Sequence, residues 1–213
     1  MRVEIWADVV CPWCYLGKRH FERALEGFAH RDQVEVVYRA FQLDPSFPQG
    51  VTIDVAEMLA EKYGMTREEA VEKNREMEER AAAAGLEYHL EGRQAGNTAD
   101  AHRLVYLAGQ RGVQGAVVEA LFKAYFTDER PVFDRDTLVD VVAEAGLDAA
   151  EARDVLASGK FASEVETEQS AARDIGATGV PFFVIDRRYG VSGAQPTETF
   201  AQVLGQAWAD ANK

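Results

Sequence analysis

The sequence predicts an α/β domain that is split by a long helical insertion. Strand, helix and strand patterns fill the first part of the chain, and a helix, two short strands and a helix close it. Between them, helix-like segments follow one another without a convincing strand pair. Helices that pack on a sheet bury the apolar faces of both. We therefore expect residues 1–52 and 160–213 to form one domain, and residues 53–159 to form an inserted helical subdomain.

The opening unit has the pattern of two strands joined by a helix. The apolar residues Val3, Ile5 and Ala7 alternate with Arg2, Glu4, Trp6 and Asp8. This period of two residues is typical of a strand. A second strand is indicated around Val34 to Phe41, and the turn-rich segment Leu43 to Thr52 ends it. If both strands join one sheet, the connection between them is right-handed and the strands are parallel.

The middle of the chain reads as a series of helices from about Ile53 to Ser158. Candidate helix ends and N-caps recur through this segment. The candidate helix ends are the glycines Gly64, Gly85, Gly112, Gly146 and Gly159, and the candidate N-caps are Thr66, Asn97, Asp134 and Asp148. Apolar stripes at helical spacing predict a packed bundle; they comprise Met58, Leu59, Tyr63, Leu104, Leu107, Ala108, Val117, Leu121 and Phe122.

Strand signals return near the end of the chain. Phe161 to Ile175 has a helical pattern, and Pro181 to Asp186 has the composition of a strand. Arg187 to Ser192 then predicts a turn and a second short strand, and a final helix begins at about Pro196.

The chain has only two cysteines, Cys11 and Cys14, which lie between the first strand and the first helix. This C-x-x-C placement is typical of a dithiol redox centre. Pro12 is favoured at the first helical position, so Cys11 is the expected N-cap, where the positive end of the helix stabilises a thiolate. Cys14 lies one turn further on, on the same apolar stripe as Phe21, and is expected to be the shielded, resolving thiol.

Two alternatives to a redox centre are a zinc site and a structural disulfide. A zinc site would need two of the four histidines, but no histidine pair has the spacing of a zinc finger. A structural disulfide across a two-residue loop would restrain little of the unfolded chain. We therefore expect redox chemistry and no metal.

Composition restricts the class of protein further. The chain has 213 residues, 47% of them hydrophobic, and a net charge of −13. This length and apolar content suffice for a full core, and the acidic balance argues against binding to nucleic acid. We find neither a membrane-spanning run nor a signal-peptide pattern, and we expect a cytoplasmic protein, a compartment where thiols are kept reduced.

Three sequence blocks add a family resemblance. The order of strand, C-x-x-C, helical insertion and Gly179 to Val184 resembles the thioredoxin-like DsbA family across nearly the whole chain. Within it, Cys11 to Tyr15, Asn97 to Arg103 and Ser192 to Pro196 together resemble the intracellular, FrnE-like branch. The resemblance implies a thioredoxin-like fold split by a large helical insertion.

The same resemblance implies candidate substrate-binding residues. Pro181 would be a cis-proline facing the cysteines, with the Val180 backbone hydrogen-bonding to an extended substrate segment; a trans proline that opens an edge strand is the alternative. His102 and Asn97 would line a substrate groove, or serve as a structural histidine and a helix cap. Trp13 would shape the approach to the sulfurs.

Asp8 is the candidate proton acceptor for Cys14. It lies three residues before Cys11, at the end of the first strand. A partly buried carboxylate there can take the Cys14 proton during resolution, whereas a solvated strand end would have no such role.

These residues predict a thiol–disulfide oxidoreductase or isomerase, in which Cys11 attacks a disulfide and Cys14 resolves the mixed disulfide. The expected substrate is a protein or small molecule with a disulfide or dithiol. No bound cofactor is expected, although glutathione or another thiol reductant can act as co-substrate. The alternatives are a glutathione-dependent isomerase or kappa-class-like glutathione transferase, which have no need of Cys14, and a chaperone without exchange activity.

Overall fold

A computed structural model of the chain describes residues 1–212. Strands from both ends of the sequence form a four-stranded mixed sheet, and seven helices lie along the chain between the second and third strands of this sheet. The strands are β1 (Arg2–Ala7), β2 (Glu35–Ala40), β3 (Thr52–Asp54), β4 (Gln94–Gly96), β5 (Phe182–Ile185) and β6 (Tyr189–Ser192). The helices are α1 (Pro12–Glu26), α2 (Val55–Tyr63), α3 (Arg67–Ala83), α4 (Ala99–Gln110), α5 (Gln114–Phe126), α6 (Arg135–Glu144), α7 (Ala149–Ala157), α8 (Ala162–Asp174) and α9 (Thr197–Ala211).

The main sheet has the order β2-β1-β5-β6. β1 pairs with β2 in parallel, with Ile5 opposite Tyr38, as the opening strand–helix–strand pattern predicts. β5 is antiparallel to both β1 and β6, with Ile5 opposite Phe183. The predicted α/β fold, with a helical insertion between the two halves of one sheet, is confirmed.

The period-two alternation of β1 puts its residues on two different faces of the sheet. Val3 and Ile5 belong to the main core, where Phe183 of β5 packs on Phe21 of α1 and Phe200 of α9. Trp6 belongs to a smaller cluster on the other face, with Ala172 of α8. The sheet therefore lies between α1 and α9 on one side and α8 on the other.

The inserted helices share the main core with the sheet domain. The ring of Tyr15 on α1 stacks on Phe122 of α5, with ring centroids 4.9 Å apart, and on Tyr88, which precedes β4. Within residues 1–212, no helix is long and apolar enough to cross a membrane.

The structure corrects three details of the insertion. The expectation of an uninterrupted helical segment is wrong, because β3 and β4 pair as a small antiparallel sheet. Tyr63 is 62% exposed and so does not contribute to the bundle core. The N-cap of α4 is Thr98, not Asn97, although the Asn97 side chain accepts a hydrogen bond from the Ala99 N–H at the start of the helix. The predicted caps Thr66, Asp134 and Asp148 each accept a hydrogen bond from a backbone N–H of their helix.

Candidate active site

The two cysteines lie at the junction of β1 and α1. Cys11 is the N-cap of α1 with extended backbone angles (φ −89°, ψ 113°), and Pro12 follows in the first helical turn. The Cys11 N–H donates to the Asp8 carbonyl at 3.0 Å, and the Cys14 N–H donates to the Cys11 carbonyl at 3.0 Å. The local sequence thus positions Cys11 at the helix end whose N–H groups lack partners inside the helix.

Both sulfurs are buried, and no disulfide joins them. Cys11 is 3% exposed and Cys14 is 2% exposed, so burial does not distinguish the two residues. Burial, the hydrogen bond with Cys11 and the negative charges of Cys11 and Asp8 raise the pKa of the Cys14 thiol well above its usual value. Cys14 therefore holds its proton at neutral pH and needs a base before it can act as a nucleophile.

The loop before β5 faces Cys11. The Val180–Pro181 peptide bond is cis, and the Val180 carbonyl oxygen lies 3.7 Å from Cys11 Sγ. Gly17 of α1 packs against the same loop, since a Cβ at this position would lie 2.9 Å from Pro181 Cγ. Only a residue without a side chain allows α1 and the loop to approach this closely. The predicted substrate contacts of Val180 and Pro181 stay predictions.

Asp8 lies in the protein interior at the end of β1. It is 1% exposed, and its Oδ2 accepts a hydrogen bond from the Leu43 N–H at 2.8 Å. Its Oδ1 lies 3.2 Å from Nε2 of His102 on α4. The alternative of a solvated strand end is wrong, because the carboxylate is enclosed by protein.

The structure changes the interpretation of two groove candidates. His102 is only 3% exposed and contacts Asp8, so its assignment as a residue of an open substrate groove is wrong. Asn97 donates to the Phe47 carbonyl at 2.6 Å and accepts from the Ala99 N–H at 2.9 Å. Asn97 therefore ties the loop after β2 to the start of α4.

Trp13 is the exposed residue of the C-x-x-C segment. Its side chain is 45% exposed, and the guanidinium of Arg80 on α3 lies 6.0 Å from its ring centroid. The ring is therefore free to contact a molecule that approaches the sulfurs. Its predicted role in substrate binding stays a prediction.

Sequence reasoning missed three residues that support the site. The Tyr88 hydroxyl donates to the Pro12 carbonyl at 2.8 Å, and the Leu43 N–H donates to Asp8. Neither contact leaves a local sequence signal, because each joins distant parts of the chain. Gly17 does leave one: a glycine inside a helix, which costs helix stability, is often kept for close packing.

A buried charge cluster joins α1 to α5. Lys18 is 3% exposed and its Nζ contacts carboxylate oxygens of Glu22 and Glu119. Arg19 and the Tyr15 hydroxyl also donate to Glu119, at 2.9 Å and 2.8 Å. Burial acts to raise the pKa of the Glu119 carboxyl, but the charge and hydrogen bonds of Lys18 outweigh it and lower the pKa. The cluster fixes the active-site helix to the insertion.

Within residues 1–212 there is no group of three His, Cys, Asp or Glu side chains that could hold a metal ion.

Comparison with known proteins agrees with this arrangement. Residues 2–205 match the family described as DSBA-like thioredoxin domain. A probable DsbA oxidoreductase from Streptomyces coelicolor is 51% identical, with 98% of this chain and 90% of that chain covered and a TM-score of 0.94. The uncharacterized protein YwbO of Bacillus subtilis is 24% identical over 208 residues, which are 96% of each chain.

More distant structures share the fold. The cytosolic disulfide reductase DsbM of Pseudomonas aeruginosa, solved with GSH, is 18% identical, with 97% of this chain and 98% of that chain covered and a TM-score of 0.67. The family match extends over nearly the whole chain and includes both cysteines and the cis-proline loop. The chain therefore belongs to the DSBA-like thioredoxin domain family of thiol oxidoreductases.

Proposed function

We propose that this protein is a dithiol–disulfide oxidoreductase that exchanges disulfides through Cys11 and Cys14. The observation that carries the proposal is the position of Cys11 at the N-terminus of α1, opposite the Val180 carbonyl, with Cys14 one turn further into the helix. This is the geometry needed for one thiolate to attack and a second thiol to resolve.

The exchange proceeds in two steps. The Cys11 thiolate attacks a substrate disulfide, one substrate sulfur leaves as a thiolate, and a mixed disulfide forms. Cys14 then gives its proton to the Asp8 carboxylate and attacks Cys11 Sγ. The second substrate sulfur leaves as a thiolate and takes a proton from solvent. The substrate is reduced and the protein dithiol is oxidised; the reverse sequence oxidises a dithiol, and the same steps rearrange disulfides.

Two groups beside the sulfurs favour the binding of an extended substrate segment. The Val180 backbone next to Cys11 can pair with such a segment, and the exposed ring of Trp13 can pack against it. The substrates that fit are proteins or small molecules that carry a disulfide or a dithiol.

We place the protein in the FrnE-like branch, on the three sequence blocks that resemble it, and in the cytoplasm, where the name of the structurally similar DsbM places that protein. In that compartment glutathione, or another thiol reductant, is the expected co-substrate that returns the oxidised pair to the dithiol. Thiol trapping in intact cells tests this recycling. A trapped Cys11–Cys14 dithiol would agree with recycling by a thiol reductant, and a stable Cys11–Cys14 disulfide would contradict it.

A trapping experiment tests the proposal. The variants Cys14→Ser and Cys11→Ser are each incubated with a peptide that contains one disulfide, and the products are resolved by mass. We expect Cys14→Ser to accumulate a mixed disulfide on Cys11, and Cys11→Ser to form none, because Cys14 stays protonated. Wild-type protein should release reduced peptide and gain an internal disulfide. Equal behaviour of the two variants would contradict the assigned roles.

A further inference from the structure

The buried pair of Asp8 and His102 joins the sheet domain to the insertion, and Asp8 interacts electrostatically with the Cys14 thiol. Asp8 ends β1, whereas His102 lies on α4, 94 residues further along the chain. Both side chains are almost fully enclosed, at 1% and 3% exposed. The imidazole Nε2 is 3.2 Å from Oδ1, and the Leu43 N–H holds Oδ2 at 2.8 Å.

The surroundings of Asp8 contain few groups that can stabilise its negative charge. The Cys14 thiol of α1 and the Tyr125 hydroxyl of α5 both interact with Asp8 electrostatically, and the Cys11 N–H donates to the Asp8 backbone carbonyl. Tyr125 donates its own proton to the Gln94 carbonyl.

The arginine that packs on Tyr125 forms no ion pair with the carboxylate. The Arg93 guanidinium packs over the Tyr125 ring and donates to the His89 carbonyl. Among residues 1–212, no lysine or arginine nitrogen lies within ion-pair distance of Asp8. Within residues 1–212, the charged or titratable nitrogen that does reach the carboxylate is Nε2 of His102.

A carboxylate can accept the Cys14 proton only if it is ionised beforehand. Removal from water favours the protonated acid, and hydrogen bonds to the ionised form oppose that preference. The Leu43 N–H is one donor to the Asp8 carboxylate, and Nε2 of His102, when it carries the imidazole proton, is a second donor that fixes its orientation.

We propose that His102 is a positioning residue for resolution: through its contact with Oδ1 it holds the Asp8 carboxylate in the orientation that accepts the proton of Cys14. The inference rests on the proposed exchange function. During resolution the Cys14 S–H bond breaks and its proton moves to Asp8. The Cys14–Cys11 disulfide forms, and the departing sulfur leaves as a thiolate with the electron pair of the broken S–S bond and takes a proton from solvent. His102 takes no part in the proton transfer, so its contribution acts only on the second step of the exchange.

Reaction of the reduced protein with Ellman's reagent separates the two steps. Attack by Cys11 releases one coloured 2-nitro-5-thiobenzoate ion, and resolution by Cys14 releases a second from the mixed disulfide on Cys11. Stopped-flow absorbance measures both phases over a range of pH. The informative variants are the matched pair H102Q and H102N: the Gln amide nitrogen replaces Nε2 and reaches Asp8, whereas the Asn amide ends too far away.

We expect H102N to leave the first phase unchanged and to slow the second about tenfold at neutral pH, which corresponds to one lost hydrogen bond to a buried charge. H102Q should recover most of the second-phase rate. D8N should slow the second phase as well, and the double variant D8N/H102N should be no slower than D8N, because His102 acts through Asp8.

Two results would overturn the inference: equal second phases in H102N and wild type, or an H102N defect that adds in full to that of D8N. A merely structural role of His102 would slow both phases alike in H102N, and that outcome would also count against it. A failure of the proposed exchange function gives a different result: wild-type protein would then release no second thiobenzoate ion.

Discussion

The Cys14 proton links the chemistry of one residue to the stability of the protein. Burial raises the pKa of this thiol, so the folded protein binds the proton more tightly than the unfolded chain does. A pKa that is raised by folding contributes stability below the unfolded-state value, and that stability is lost as the pH rises through the folded-state value.

We therefore expect the reduced protein to lose stability, relative to the oxidised protein, as the pH rises above about 8.5, the usual value for an unfolded cysteine. The oxidised form has no proton on Cys14 and provides the reference, because buried tyrosines such as Tyr15, whose pKa is also raised, are common to both forms. Urea unfolding of both forms from neutral pH to about pH 10 measures the difference. Cys14→Ser is the control and should show no such loss; parallel curves for the reduced and oxidised proteins would contradict the effect.

At the scale of elements, the contact between α1 and the cis-proline loop sets the position of Val180 opposite Cys11. Gly17 allows this contact, because a Cβ there would lie 2.9 Å from Pro181 Cγ and 3.3 Å from the Ala194 Cα. These are separations at which the loop must move to admit a methyl group.

Gly17→Ala should therefore lower the free energy of unfolding by about 1–3 kcal/mol, the usual cost of overpacking. It should also slow the attack by Cys11, since the loop that faces the sulfur is displaced. Gly205→Ala on α9 is the matched control: a Cβ there meets nothing within 4 Å, and alanine should add about 0.5–1 kcal/mol of helix stability without a change in rate. Chemical denaturation and the first thiobenzoate phase measure the two effects, and equal behaviour of the two variants would refute the close-packing argument.

The elements that the sequence predicts correctly are those with a local pattern. The alternation in β1, Pro12 after Cys11 and the capping residue Thr66 each act within a few residues of the feature they specify. The three-residue strands β3 and β4 are too short for a periodic signal and pair across forty residues of chain. The contact of His102 with Asp8 is likewise set by the packing of α4 on the sheet domain, which no local pattern records.

At the scale of the whole molecule, the insertion and the sheet domain are held together by a shared core and by the charge cluster around Lys18. Lys18 is buried between Glu22 on its own helix and Glu119 on α5. Loss of one partner leaves a buried ammonium group incompletely paired, which is costly in an interior of low polarity.

Glu119→Gln should lower the free energy of unfolding by about 1–3 kcal/mol, because Glu22 and the remaining amide oxygen still satisfy part of the Lys18 ammonium group. Glu76→Gln provides the control. It makes the same chemical change in the exposed pair with Lys73, where both side chains are more than 40% exposed and surface ion pairs contribute little. Thermal unfolding of the two variants compares them directly. A Glu119→Gln protein as stable as Glu76→Gln would show that the cluster does not join the two parts.

The central claim is that Cys11 and Cys14 form a reversible redox pair, and a redox titration tests it most directly. The protein is equilibrated in glutathione buffers of graded potential, the free thiols are trapped, and the products are resolved by mass. The geometry predicts an internal Cys11–Cys14 disulfide that forms and disappears reversibly, with a midpoint that assigns the direction of exchange. Stable glutathione adducts without the internal disulfide, or no reaction at all, would contradict the claim and favour a glutathione-dependent enzyme.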